Sequence, residues 1–513
     1  MLARVTTFTI DGVDPRQVCV EVDIRPGLPS FTVVGLADAA VRESRERIRS
    51  AVQNSGFEFP GRRITANLAP AFLRKVGPGF DAALAIGVLA ASGQIPSDAL
   101  STCAVFGELS LGGELRDSPG ALAVAEGARN ASVPRLIVPL QRGREAALVE
   151  GLEIAAVSNL RAAAAVLRGD GAAATAARDL LDPGPALHPA PARHPAPDLS
   201  DVRGHAGPLL ALEIAAAGGH NLLFEGPPGT GKTMLARRLP SILPPLSRAE
   251  AIEVTRLHSV AGLHVAGLVA DRPFRAPHHT ISPSGLVGGG SPPRPGEATL
   301  AHHGVLFLDE LSEFQRTALD ALRQPLEDGG VTIVRGQRAL VFPTRFMLVA
   351  ATNPCPCGFA GVGDRCGCAE ADLRRHQRRL SGPLLDRIDL LVSVERPTEQ
   401  DLRATNGVDA QVIKDRVAAA RERQCARLEH TAASCNGALG GRLARRYIRL
   451  ESAAERALGR AYERGTLSAR GRHRVSRVAR TIADLEGHEL VMLSDVLTAL
   501  SLRQRDVLHR AAG

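Results

Sequence analysis

Residues 221 to 233 read Asn-Leu-Leu-Phe-Glu-Gly-Pro-Pro-Gly-Thr-Gly-Lys-Thr. The apolar run Asn221 to Glu225 feeds a glycine-rich turn, and Met234 to Leu239 continues with a helical pattern. This is the strand–loop–helix setting in which Gly-x-x-x-x-Gly-Lys-Thr cradles the phosphates of ATP. Gly226, Pro227, Pro228, Gly229, Thr230 and Gly231 let backbone N–H groups converge on the phosphates, and the helix N-terminus adds the positive end of its dipole. Lys232 reaches the β- and γ-oxygens, and Thr233 ligates Mg²⁺. The chain has only three lysines, Lys75, Lys232 and Lys414, arginine having taken nearly every other cationic position. A lysine kept in such a loop is kept for its compact ammonium, which a planar guanidinium does not replace.

Downstream, Val305-Leu-Phe-Leu-Asp-Glu310 is an apolar run ending in two carboxylates. Asp309 suits the Mg²⁺ shell, and Glu310 suits orienting and deprotonating an attacking water, although two acids at a strand end also serve as a helix cap. The spacing from Lys232, 309 − 232 = 77 residues, is long for neighbouring elements and implies an insert. Phe346-Met-Leu-Val-Ala-Ala-Thr-Asn353 ends in an amide placed to touch the γ-phosphate or the lytic water. Ser381-Gly-Pro-Leu-Leu-Asp-Arg-Ile-Asp389 offers Arg387 to the phosphoryl group of a neighbouring subunit, the alternative being an ion pair with Asp386 or Asp389. Arg470, in Thr466-Leu-Ser-Ala-Arg470 at a helix start, is the candidate second γ-phosphate sensor.

These runs place the fold in the α/β class. Asn221 to Glu225, Val305 to Leu308, Phe346 to Ala350 and Leu390 to Val394 alternate with helical patterns, which predicts a parallel sheet covered on both faces over residues 201–397. Beyond Pro397 the pattern is helical, a lid over 398–513. Residues 1–168 mix alternating runs (Val18 to Ile24, Phe31 to Val34, Leu136 to Pro139) with a helix over Asp38 to Ser55, a separate α/β domain. Residues 169–200 are Ala, Pro, Gly and His with few large apolar residues, and read as a linker.

At 513 residues, 44% of them hydrophobic, the chain supports several cores. A formal charge of +8 is compatible with a polyanionic partner such as nucleic acid. The longest apolar run, Ala82 to Ala91, is about half the ~20 residues a bilayer crossing needs, so no membrane span is expected. Asp11 and Asp14 arrive too early for a signal peptide, and eight cysteines with four clustered fit a reducing cytoplasm and one metal site. That cluster is Pro354-Cys-Pro-Cys-Gly358 followed by Cys366-Gly-Cys368. Cys355, Cys357, Cys366 and Cys368 suit a closed tetrahedral Zn²⁺ site, with unligated thiols and a redox disulfide as alternatives. The basic stretch Leu373 to Arg379 is either a contact for DNA or a neighbouring subunit, or a solvated helix face. His278, His279, His302 and His303 resemble a metal set by composition, with structural hydrogen bonding as the other reading.

The chain closely resembles the magnesium-chelatase-like AAA+ ATPases of the ComM/YifB type. The likeness is carried by Arg4 to Ile10, Phe31-Thr-Val-Val-Gly-Leu-Ala37, Phe274-Arg-Ala-Pro-His-His279, Gly285-Leu-Val-Gly-Gly289, Pro295-Gly-Glu297 and Leu300-Ala-His-His-Gly304. It implies a hexameric, ATP- and Mg²⁺-dependent motor driving branch migration of DNA, with Asn353 as sensor 1, Arg387 as arginine finger and Arg470 as sensor 2. It also implies a helix-2 insert within residues 250–300 and a pre-sensor-1 hairpin over Val331 to Val341. Arg335 and Arg338 at the hairpin tip would contact DNA phosphates without reading sequence, against the alternative of a solvated turn. The N-terminal domain resembles the proteolytic domain of Lon, but Gly77-Pro-Gly-Phe-Asp81 and Ser118-Pro-Gly-Ala-Leu122 stand where the serine and lysine are expected, so a structural or partner-docking role is favoured over a residual hydrolase. Two rival functions are a chelatase motor, whose partner's Asp-x-Ser-x-Ser motif this chain lacks, and an ATP-dependent protein remodeller.

Overall fold

Strand Leu2–Asp11 sends Ala3 and Val5 into one apolar cluster and Phe8 and Ile10 into another, the two-residue period of a sheet covered on both faces. In the computed structural model, which describes residues 1–513 except 37, 171–196, 264–266, 292, 336–337, 381, 404–408 and 504–513, this strand sits in the middle of a seven-stranded sheet. The order is Ser30–Val34, Arg63–Ala69, Asp14–Arg25, Leu2–Asp11, Cys103–Val105, Arg135–Pro139, Glu153–Val157. Helix Asp81–Ala91 is buried along its whole length, so the longest apolar run of the sequence is a core helix, as apolarity all round predicts. The helix expected over 38–55 runs Ala39–Asn54, with the Asp38 carboxylate capping Val41 N–H at 2.9 Å.

A second sheet forms the core of the domain that carries the glycine loop. Its five strands are all parallel and ordered Phe274–Arg275, Val305–Leu308, Met347–Thr352, Leu222–Glu225, Leu390–Ser393. Leu222 and Phe224 face one apolar cluster and Leu223 the other; Val305 and Phe307 likewise oppose Leu306 and Leu308. Burial on both faces explains why these strands read as continuous apolar runs. The long spacing before Asp309 is filled by strand Phe274–Arg275, helix Pro283–Val287 and the ribbon Gly288–Gly289/Arg294–Pro295. The expected hairpin is present as Gly330–Arg335 paired antiparallel with Arg338–Pro343.

The lid is helical, with Ala410–Leu428 and Ala469–Glu486 packed on Ala206–Gly218. Arg421 and Gln424 donate to the carbonyls of Ala216 and Ala217 at 2.9 and 3.0 Å, satisfying the open C-terminal end of that helix. Most of the expected linker lies outside the described residues. The expected end at residue 200 needs correction, because Leu199 is fully buried with Val202 in the apolar cluster on one face of the five-stranded sheet.

The N-terminal domain docks on the glycine-loop domain through helix Arg248–Val260. Val13, Leu257 and Phe342 join one small core that links the domain, this helix and the base of the hairpin. Beside it, Ser259 Oγ accepts from Gly120 N–H at 3.0 Å and donates to the buried Glu145 carboxylate, which also accepts from Arg142 at 2.8 Å. At Gly79, within the segment aligned with the Lon serine, a Cβ would lie 2.6 Å from the Phe106 ring. Ser118 Oγ is occupied, accepting from Glu108 N–H and donating to Arg116 O.

Candidate nucleotide site

Strand order decides which side chains meet. The strand ending at Thr352 lies between the strand that feeds the glycine loop and the strand that ends in the two acids, so Asn353 emerges between Lys232 and Asp309. Lys232 Nζ donates to Gly226 O at 2.6 Å, to Pro227 O at 2.8 Å and to Asn353 Oδ1 at 3.1 Å. Burial pulls its pKa below the ordinary lysine value, and the Asp309 and Glu310 carboxylates oppose that shift. Thr233 Oγ1 donates to Asp309 Oδ2 at 2.7 Å, so the two oxygens expected to share a Mg²⁺ ion already stand side by side.

The loop's shape is dictated by close approaches. Gly226 runs against the neighbouring strand so tightly that a Cβ would lie 2.2 Å from Val394 O. Gly231 turns into the left-handed region, φ +89°, to start helix Lys232–Arg238, two residues earlier than the sequence pattern indicated. Glu310 is also left-handed, φ 51°, a strain of roughly 1–2 kcal/mol for a residue with a Cβ. The bend leaves its carboxylate more than half exposed, 3.6 Å from His279 Nδ1. A cavity of about 1020 Å³ opens between the glycine loop, the cysteine loop at 359–362 and residues Ser393 and Arg396.

The two remaining arginines are not brought to this site. Asn221 Nδ2 donates to Arg387 O at 2.9 Å, and Asn221 stands at the start of the strand whose far end carries the glycine loop. Arg387 therefore lies a strand length away, roughly 13 Å or more, from its own Lys232. Its guanidinium is only 11% exposed and pairs with Glu327, not with Asp386 or Asp389 as the sequence alternative held. Arg470 is exposed in the first turn of helix Ala469–Glu486, and its neighbour Gly471 faces Arg503, which donates to Ile388 O at 2.7 Å. Arg470 thus lies near Ile388, just before strand Leu390–Ser393. Sequence reasoning missed the knot beside it. Arg477 and Arg474 reach Asp389 Oδ1 at 3.0 and 3.6 Å, His220 Nδ1 approaches Oδ2 at 3.6 Å, and the carboxyl is held well below the usual range despite its burial.

Cys355, Cys357, Cys366 and Cys368 converge, with all four sulfurs within 4.8 Å of one another. None is disulfide-bonded. His302 and His303 both meet Glu253, at 3.1 and 2.9 Å. His302 Nδ1 accepts from Arg345 N–H at 2.9 Å, so neutral His302 carries its proton on Nε2 and donates it to Glu253, leaving no lone pair there for a metal. This agrees with the hydrogen-bonding reading. In helix Glu370–Arg379, Arg374 pairs with Glu370 and Arg375 with Asp372, the pattern of a solvated face, while His376 turns inward to Asn353 O at 2.9 Å. Arg335 and Arg338 form the last register pair of the hairpin; their side chains and the tip, 336–337, lie outside the described residues.

The geometry agrees with what the chain is similar to. Residues 198–402 match a family model described as magnesium chelatase, subunit ChlI, residues 20–142 one described as subunit ChlI of Mg-chelatase, and residues 407–503 the ChlI C-terminal model. The chain is 40% identical to competence protein ComM of Haemophilus influenzae over 506 residues, 98% of this chain and 97% of that one. It is 42% identical to the protein YifB of Escherichia coli over 510 residues, 99% and 98% of the two. The magnesium-chelatase 38 kDa subunit of Acidiphilium rubrum is 27% identical over 317 residues, covering 56% and 84%. With likeness over its full length and the five-stranded parallel core that positions Lys232, Thr233, Asp309 and Asn353, the chain belongs to the ComM/YifB family of magnesium-chelatase-like AAA+ ATPases.

Proposed function

We propose that the chain assembles into a hexameric ring that uses ATP and Mg²⁺ to move along DNA and drive branch migration of recombination intermediates. The observation that carries this reading is the split site: Lys232, Thr233, Asp309 and Asn353 are assembled within one chain, while Arg387 stands at the opposite end of the same sheet. A site built this way is complete only when a second copy supplies its arginine, which supports a ring.

The residues divide the work. Gly226–Gly231 and Lys232 hold the phosphates. Thr233 and Asp309 would hold Mg²⁺, which would neutralise the charge developing on the phosphates. Glu310 orients and deprotonates the attacking water once its carboxylate leaves His279, and Asn353 fixes the γ-phosphate or that water. Arg387 of one subunit stabilises the transferring phosphoryl group of the next, and Arg470 serves in this reading as a second sensor of the γ-phosphate. The DNA reading is supported by the hairpin carrying Arg335 and Arg338, by the formal +8 charge and by likeness to a competence protein. The N-terminal domain, lacking a nucleophile in the Lon-like position, serves in this reading to brace the hairpin and to dock a partner.

The test measures ATP turnover and strand movement on a mobile four-way junction at fixed salt, for wild type and Glu310→Gln. Junction-stimulated hydrolysis, with movement by wild type alone, is the expected result. Hydrolysis that ignores every DNA would end the DNA reading and direct attention to a chelatase-type or protein-remodelling role.

A further inference from the structure

We infer that Cys355, Cys357, Cys366 and Cys368 bind one Zn²⁺ ion that acts as a fastener, holding Asn353 and the outer wall of the glycine loop in the arrangement ATP hydrolysis needs. The catalytic half of this inference rests on the ATPase reading above; the metal half does not.

Three of the sulfurs are spaced close to the edges of a tetrahedral site, and Cys368 lies within 4.8 Å of each of them. Four sulfurs around Zn²⁺ at about 2.3 Å stand about 3.8 Å from one another. Cys355 lies 3.8 Å from Cys366 and 3.3 Å from Cys357, and Cys357 lies 3.7 Å from Cys366. A disulfide would bring one pair to about 2.05 Å. Cys355 Sγ also accepts from Ala360 N–H at 3.2 Å, an interaction that favours the thiolate a metal requires. Binding displaces the thiol protons to solvent and changes no oxidation state, and a closed four-sulfur site leaves no position for reactive water.

The loop has little else to hold it. Between Pro354 and Ala369 only Cys355 and Gly358 are buried, and the regular structure is confined to a turn at Gly363–Arg365. A segment with so small a core keeps one shape only if it is stapled. Both ends of the loop touch the nucleotide machinery. It leaves from Asn353, whose side-chain oxygen is 3.1 Å from Lys232 Nζ, and it returns through His376, whose Nε2 is 2.9 Å from Asn353 O. At its middle, Gly358 with φ +86° lies so close to the glycine loop that a Cβ there would stand 2.7 Å from Pro228 Cδ. Cys366 and Cys368 line the same cavity as Gly226–Thr230. A metal joining Cys355 to Cys366 and Cys368 therefore fixes the residue two positions after Asn353. Its loss frees the amide that must meet the γ-phosphate while leaving Lys232 and Thr233 where they are.

The experiment uses the full chain. Zinc content after gel filtration is expected at one ion per chain, and exchange with Co²⁺ is expected to give the visible absorption of a tetrahedral four-thiolate site. Cys357→Ser/Cys366→Ser is expected to lose the ion and to lower kcat at least about tenfold, with the Kd of a fluorescent ATP analogue little changed. Cys425→Ser, at an exposed cysteine outside the cluster, is expected to keep both zinc and rate. Should the double variant fail to fold, reversible stripping and reloading of wild type gives the same comparison. A chain that purifies without zinc and takes up neither Zn²⁺ nor Co²⁺ overturns the site. Zinc-loaded, active wild type whose kcat is unmoved by metal removal overturns the coupling alone. Zinc-loaded wild type that neither binds nor hydrolyses ATP overturns the ATPase reading, and the catalytic half with it.

Discussion

Lys232 Nζ and Asn353 Oδ1 stand 3.1 Å apart across 121 residues of sequence, because a parallel strand delivers each to the same edge of one sheet. In the free chain the amide is one of three oxygens holding the ammonium. In the proposed reading, bound ATP draws the ammonium to the phosphates and frees the amide for the γ-phosphate or the water. Asn353→Ala is therefore expected to reduce kcat about 100-fold, the usual cost of losing one preorganised polar contact to the transition state, with nucleotide Kd within a few-fold of wild type. Phosphate release and equilibrium binding on the same preparation decide it. Parallel losses in both would make Asn353 a ground-state binding residue.

Burial pushes His302 down to about 4, with the neighbouring His303 adding to the shift. Because its folded pKa lies below the ordinary imidazole value near 6.5, the unfolded chain takes up the proton first as pH falls. Stability from this residue is complete above about 6.5 and is lost progressively down to about 4, amounting to about 3 kcal/mol over that interval. Urea unfolding of wild type and His302→Gln across this range is expected to show the steeper acid loss in wild type. Equal slopes would remove His302 as the cause.

The glycine loop, both acids and Asn353 were legible in the sequence because each is local: a short polar motif at the end of an apolar run, and the strand order brings the three together. The lid knot was not. Nothing in the spacing of His220, Asp389, Arg474 and Arg477 marks them as one cluster; packing of helix Ala469–Glu486 across the start of strand Leu390–Ser393 makes them so. The same packing sets Arg470 near Ile388, which no local pattern reveals. Leu199 misled for the opposite reason: a single buried leucine at the edge of an Ala/Pro/His stretch is invisible to composition.

The joint between the N-terminal domain and the motor depends on Glu145. Its carboxylate is 1% exposed and accepts from Arg142, from Ser259 and from Leu122 N–H at 2.9 Å. Glu145→Ala leaves Arg142 buried with Asp117 as its remaining acid and is expected to cost about 3 kcal/mol. Ser259→Ala, which keeps the ion pair, is expected to cost about 1 kcal/mol. Thermal and urea unfolding measure both, and equal effects would contradict the assignment of the joint to the buried ion pair.

Arg387 gives the decisive test of the ring. In the single chain it is held by Glu327 at the end of the sheet remote from Lys232, so Arg387→Ala is expected to leave ATP affinity intact while lowering turnover about 1000-fold or more. Lys232→Ala is expected to be inactive through loss of phosphate binding. Mixed, the two variants form boundaries where an intact glycine loop from the Arg387→Ala chain faces an intact arginine from the Lys232→Ala chain. Such boundaries hydrolyse ATP if the arginine acts across subunits, so the mixture is expected to recover a substantial part of wild-type turnover. A mixture no more active than its components would show that Arg387 serves its own fold through Glu327, and the argument for a shared site would fall with it.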